Sequence, residues 1–274
     1  MKKTIATFML MLATALPSIA FATPEEDLAA AQKLYEERQP FSEDQTTESW
    51  ANLKQSIELS EKAAAEATDE DLKYDAFIFT SSVYYFRGIL REKKQDRLDD
   101  FTSALESAQK ASQINDEYAD AYYHYSISLA RWAETKGVLE SLKRKGELLD
   151  NLELATSKFS KEGDLGEALD GYGPYRTLGR VYFKLPGFAG GSRTKSLDYL
   201  KQAYDNAPEF ALNIVYYVDT LYDGNSSEKA EACRIIDELL ANDPATYNPD
   251  RTVETTQDFR TAQELRAKMK HCNP

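Results

Sequence analysis

Apolar residues recur along this chain at helical rather than strand spacing. Between positions 171 and 211 two such segments flank a loop rich in proline and glycine. The stretch 175–184 places Tyr175, Leu178, Gly179 and Tyr182 on one face, and 192–206 does the same with Leu197, Leu200, Ala203 and Tyr204. This is the i, i+3, i+4, i+7 pattern of an amphipathic helix. The same spacing predicts helices over 24–39 (Leu28, Ala31, Leu34, Tyr35), from the Thr46–Ser49 polar run onward (Trp50, Leu53, Ile57, Ala64), and after a capping Asp69 (Leu72, Ala76, Phe79, Val83, Phe86). Further helices follow over 94–113, from Tyr122 to about Lys136 with Gly137 as its C-cap, over 140–159, 208–222 and 227–241, and finally over 253–270. The polar stretch 161–170 reads as a turn or short helix, and Asp223-Gly224-Asn225 as a turn. No segment keeps up a period-two alternation, so the fold is expected to be all-α.

The segments pair. The unit at 171–211 resembles a tetratricopeptide (TPR) repeat. In that resemblance Tyr175 and Tyr182 fill the two aromatic positions and Leu178-Gly179 the Leu-Gly pair, while Ser196 and Ala203 are the small residues of the second helix and Pro208 is the closing proline. Gly179 and Ala203 let two backbones approach and the tyrosines fill the space beside them. A similar junction stands at 114–122, and Ala230 and Pro244 take the small and closing positions of the next unit. The expectation is a TPR-like helical-hairpin solenoid with a C-terminal capping helix, a single domain over 23–274, its repeats clearest over 104–244. The turn within the 171–211 unit is about five residues longer than that repeat allows. Its residues Pro186, Gly187, Phe188, Gly190 and Gly191 are either a binding insertion or a flexible one.

Residues 1–22 read as a cleavable secretory signal peptide, with Lys2-Lys3, an apolar run from Ile5 to Leu16, and Ala20-Phe21-Ala22 as the cleavage site. No lipid-accepting cysteine follows the apolar run. The expected location is therefore the periplasm, with the mature chain beginning near Thr23. The formal charge is −13, more negative still without Lys2 and Lys3, which argues against nucleic acid and anionic membrane surfaces as partners. No later stretch is apolar enough for a transmembrane segment. The two cysteines, Cys233 and Cys272, are either two thiols or, in an exported chain, one disulfide tying the C-terminal helix to the last hairpin.

Candidate chemistry is sparse. His124 sits among Tyr122, Tyr123 and Tyr125 and reads as a packing or groove residue; His271 lies near the chain end. No H-E-x-x-H, P-loop or G-x-S-x-G motif occurs. No catalytic residue, metal or cofactor is expected. The 17 Tyr, 12 Phe and 2 Trp serve largely as core, and the tyrosines at neighbouring first-helix positions, Tyr122, Tyr125, Tyr182 and Tyr216, are candidates for lining the concave face.

Three stretches, 125–142 with its Arg-Trp-Ala, 173–203 with its Gly-Arg-Val-Tyr and Pro-Gly loop, and the Asn-led 213–231, together resemble the TatT family, the T component associated with some tripartite ATP-independent periplasmic (TRAP) transporters. The resemblance covers roughly the C-terminal half. It implies a non-enzymatic periplasmic accessory that pairs with a solute-binding protein, associates as a homotrimer, and helps deliver a small apolar or organic-acid ligand. Family members can be lipoproteins, and this chain departs from them in lacking the lipid-accepting cysteine. The residues put forward for ligand or partner contact are Arg131, Trp132, Arg180, Tyr182 and the loop Pro186, Gly187, Phe188, Gly190, Gly191. Arg180 is equally placed to form a salt bridge within the stack, and Trp132 to be core. The alternative reading is a general periplasmic scaffold for envelope assembly.

Overall fold

The computed structural model describes residues 22–159 and 169–272. The leader expected at 1–22, except its last residue, and most of the turn expected at 161–170 lie outside the described residues. Within them the chain forms α-helices and no strand: α1 (Pro24–Glu36), α2 (Thr47–Glu66), α3 (Glu70–Leu90), α4 (Lys94–Ile114), α5 (Ala119–Lys136), α6 (Val138–Phe159), α7 (Gly173–Lys184), α8 (Arg193–Asn206), α9 (Ala211–Tyr222), α10 (Ser226–Leu240), α11 (Pro244–Tyr247) and α12 (Thr252–Lys268). No described helix is long and apolar enough to cross a membrane.

Local chemistry starts these helices where polar side chains can take up the free N–H groups of the first turn. Thr23 and Glu26 form a reciprocal capping box at α1, as do Asn225 and Glu228 at α10. Asp69 accepts from the Leu72 N–H, and Ser192 from that of Lys195. Gly137 ends α5, its N–H reaching the Ala133 carbonyl. Several boundaries differ from the sequence expectation by two or three residues, and prolines stand at two of the helix ends. Helix α1 stops at Glu36 rather than Gln39: Pro40 has no N–H to bond the Glu36 carbonyl and disfavours helical backbone at Gln39. Pro244, just past the end of α10, also opens α11, where its missing N–H costs nothing.

Successive helices pack as hairpins and build a solenoid. The odd-numbered helices also touch one another in series, α1 to α3, α3 to α5, α5 to α7, α7 to α9, and α9 to α12. They therefore form the inner layer, and α2, α4, α6, α8 and α10 the outer one. Small residues make the close approaches possible. Ala104, Ala108, Ala111 and Ala203 are completely buried. Buried serines bridge layers, Ser56 donating to the Ala31 carbonyl at 2.7 Å and Ser81 to that of Ala104 at 2.8 Å. A Cβ at Gly179 would lie 2.6 Å from Leu200 Cγ and 3.1 Å from the Ser196 carbonyl oxygen, so α7 and α8 meet at a distance only glycine allows.

The C-terminal helix does more than cap. It packs on α9, α10 and α11 and reaches back to the start of the chain. Arg38 pairs with Glu254 and Arg260 with Glu43. The Arg260 guanidinium lies 3.8 Å from the Phe41 ring centre, and Val253 packs against the buried cluster of Leu53, Ile57, Val83, Phe86 and Leu90. The two ends of the solenoid thus meet, and the inner layer encloses a common interior. Cys233 on α10 is bonded to Cys272, their Cα atoms 5.4 Å apart and 39 positions separated, which fixes the segment after α12 to the last hairpin.

Two stability tests follow from this packing. Gly179→Ala should cost about 1–3 kcal/mol through overpacking against α8, read as a lower denaturation midpoint at unchanged slope. Replacing both cysteines by serine should cost about 2–4 kcal/mol, and in that variant a reducing agent should have no further effect on the unfolding midpoint.

Candidate functional site

The interior is anchored by a sharp turn before α7. Asp170, Gly171 and Tyr172 have φ of 53°, 54° and 59°, three successive left-handed residues, two of which bear a Cβ that disfavours this conformation. At Gly171 a Cβ would lie 2.2 Å from the Phe210 ring. The turn is held by Arg176, which is 3% exposed. Its Nη1 donates to the Asp170 carbonyl and to Asn213 Oδ1, both at 2.9 Å. Its Nη2 donates to the Tyr123 hydroxyl at 3.2 Å and to the Asp170 carboxylate. Asn213, fully buried at the start of α9, donates in turn to the carbonyls of Gly171, Ala203 and Ala207 at 2.9–3.0 Å. Tyr123 donates to Asp170 at 2.8 Å, and Arg251 reaches Asp170 at 2.5 Å. The Arg176 guanidinium and the Asn213 amide thereby join α5, α7, α8 and α9, and the Arg251 guanidinium ties in the lead into α12.

Two carboxyls in this region titrate in opposite directions. Burial by itself would raise Asp170, but the facing Arg176 and Arg251 and the Tyr123 hydroxyl bring it down to about 2. Asp258 on α12 makes no hydrogen bond or ion pair among the described residues. Burial pushes it up to about 7; Arg176 and Arg251 oppose that rise, and Asp170 and Glu254 add to it. Tyr35 is likewise pushed up to about 12 by burial. Burial lowers His124, although Asp120 and Asp170 act against this. Its Nδ1 is 3.4 Å from the Ser82 hydroxyl and its ring meets Tyr123 edge-on. A lowered imidazole is neutral near pH 7, so His124 behaves as a packed polar ring.

Further along the same interior, four helices bring together Tyr85 (α3), Arg131 (α5), Arg180 (α7) and Tyr216 (α9). Arg131 interacts most strongly with Tyr85 and also with Tyr216. Arg180 lies 4.4 Å from the Tyr216 ring centre, within cation–π range. Burial raises Tyr216, and both arginines oppose that rise. All four side chains are partly accessible. Arg131 is 38% exposed and Arg180 23%. Their ion-pair partners are Glu134 at 3.1 Å, on an exposed helix flank, and Asp219 at 2.5 Å. The arrangement offers guanidinium and phenol donors in a space walled by protein, suited to holding an anion by hydrogen bonds.

The sequence-proposed contact residues therefore separate. Arg131 and Arg180 come together in the interior, Arg180 also making the salt bridge that was its other reading. Trp132 is half-buried against the Leu148–Leu152 cluster, with Lys136 and Arg144 5.3 and 5.4 Å from its ring. Tyr182 is a correction: it is 6% exposed, packed on Leu178 and stacked on Tyr199 at 5.9 Å, so it is core rather than contact. The loop is hydrogen-bonded within itself. Residues Gly187–Ala189 form a 3-10 turn, and the N–H groups of Ala189, Gly190 and Gly191 are spent on Pro186 and Gly187 carbonyls within the loop. Lys145 on α6 donates to the Ala189 carbonyl at 2.7 Å. The Phe188 ring projects, 87% exposed. Of the four candidate tyrosines, Tyr216 alone joins the interior arginines. Tyr122 and Tyr125 line a separate groove with Gln109 and Asn151, and Tyr125 donates to Glu147 on α6.

Sequence reading missed Tyr85, Asp170, Arg176, Asn213 and Asp258 as interior residues. A polar Asn213 among Leu212, Ile214 and Val215 was the available signal, since a polar residue inside an apolar run needs a buried partner. No group of three or more His, Cys, Asp or Glu able to hold a metal occurs among the described residues. No family model and no curated protein matches the chain.

The raised Asp258 has a measurable consequence. A carboxyl that binds its proton more tightly when folded makes folding less favourable as pH rises from its unfolded value of 3.8 to about 7. Asp258→Asn should remove that decline, on the order of 2 kcal/mol given the water that still reaches the group. Urea unfolding of both proteins at mildly acidic and mildly alkaline pH reads the difference, and a wild-type stability that rose across this window would contradict the assignment. Asp170 acts oppositely, adding stability above its unfolded pKa that is lost as pH falls towards 2.

Proposed function

We propose that this chain is a non-enzymatic periplasmic accessory of TRAP-type solute uptake. In this reading the TPR-like solenoid holds a small organic acid between Arg131, Arg180, Tyr85 and Tyr216 and docks a solute-binding protein. The observation that carries it is the convergence of two guanidiniums and two phenols from four different helices in a protein-walled, water-accessible interior. Charge-assisted donors of this kind recognise carboxylates. The resemblance to the TatT family supplies the transport context, the periplasmic location and the expected homotrimer. Docking of a protein partner is supported by the exposed apolar residues Phe188, Val138 and Leu139, each more than 70% accessible, because large exposed hydrophobes commonly mark interaction sites.

Affinity capture from periplasmic extract with the mature chain, followed by mass spectrometry of proteins and small molecules, tests the proposal. It should recover a solute-binding protein and an organic acid. Arg131→Gln combined with Arg180→Gln should reduce retained acid at least tenfold while the protein partner is kept. Recovery of envelope-assembly factors without a solute-binding protein would favour the scaffold reading instead.

A further inference from the structure

A second constellation, sharing no residue with the interior quartet, lies where the C-terminal turn of α3 meets α2. Trp50, Lys54, Arg87 and Arg91 line a cleft of about 390 Å³, within the range of small-ligand sites, roughly 300–1,000 Å³. Three of the cleft's four lining residues are cations, on a chain whose formal charge is −13. Its cations are not fully used by the protein. Arg87 is committed, its Nε and Nη2 both bound to Asp100, at 3.0 and 2.5 Å. Arg91 gives only its Nε to that same carboxylate, at 3.0 Å, and its two terminal nitrogens have no partner among the described residues. Its guanidinium carbon lies 5.1 Å from the Trp50 ring centre. Lys54 is 73% exposed and has only the solvated Glu58 carboxylate, at 3.6 Å. Arg87 and Arg91 thus share the one buried carboxylate of Asp100 while Lys54 has only an exposed one, leaving the cleft with unspent N–H donors and an indole at one wall.

A preference of basic residues for a helix C-terminus accounts for Arg87 on the last turn of α3 and Arg91 at its C-cap. It does not account for Lys54, which comes from the middle of α2, nor for the unspent end of Arg91. We infer that this cleft is a binding site for a small organic carboxylate with a flat apolar body, the carboxylate bound by Arg91 and Lys54 and the body lying against Trp50. The anion fits the free donors, the flat body the indole wall.

The only other tryptophan is Trp132, so Trp132→Phe leaves Trp50 as the sole indole reporter in the full mature chain. Benzoate is the probe and benzamide its neutral counterpart of nearly the same shape. Benzoate should change Trp50 emission saturably, and benzamide should not. Lys54→Gln with Arg91→Gln should weaken benzoate at least tenfold with unchanged helicity and melting temperature, since Arg87 still satisfies Asp100. The interior pair Arg131→Gln and Arg180→Gln should leave the affinity unchanged, so failure here is separable from failure of the interior site. An equal response to benzamide, a non-saturating response, or unaltered affinity in the Lys54/Arg91 variant would overturn the assignment.

Discussion

A guanidinium that is 3% exposed survives in a protein only if its donors are spent and its charge is matched. Arg176 meets both conditions, and the middle of the molecule is arranged by how it does so. Asp170 supplies the charge, and Asn213, Tyr123 and the turn carbonyls supply the acceptors. Those acceptors sit on two helices, α5 and α9, and on a left-handed turn. The turn would be costly alone; here the hydrogen bonds of Arg176 and Asn213 hold it. Because Asn213 also binds carbonyls at the end of α8, the angle between consecutive hairpins is fixed by polar geometry as well as by apolar packing.

The second constraint is closure. Stacked hairpins ordinarily leave an open concave face. Here α12 carries Glu254 and Arg260 back to Arg38 and Glu43, and the inner helices face one another across a shared space. Closure changes the electrostatics. Side chains that would be solvated on an open surface are surrounded by protein while still touched by water. That is why Tyr216 and Asp258 are shifted upward by burial although neither is sealed off. Interactions between charges strengthen in such surroundings, which suits Arg131 and Arg180 to gripping an anion. The Trp50 cleft works by a different principle, an excess of cation donors over protein acceptors at a helix end.

The division between what could and could not be read follows from the range of the forces involved. Caps, turns and apolar periodicity act over a few residues. Thr23, Asp69, Gly137, Ser192 and Asn225 accordingly mark helix ends where their side chains or backbone conformation require them. Gly179 and Ala203 were legible as close-approach positions because hairpin packing is nearly local. Tyr182 was not resolved in the same way. An aromatic on an amphipathic face can point into the hairpin or into the groove, and Tyr199 on the next helix decided for the hairpin. The loop at 186–191 showed its glycines but not its internal hydrogen bonds, which depend on where α7 and α8 leave their ends.

By itself the sequence determined an all-α chain of paired helices, with the places where helices begin, end and touch most closely, because those follow from spacing, side-chain size and backbone preference within some forty residues. Tertiary structure alone decided that the ends meet, that Cys233 reaches Cys272, and that Tyr85, Arg131, Arg180 and Tyr216 share one interior. Each of those depends on the summed angle of successive hairpins, a quantity set by packing and by the Arg176–Asn213 hydrogen bonds and encoded in no single segment.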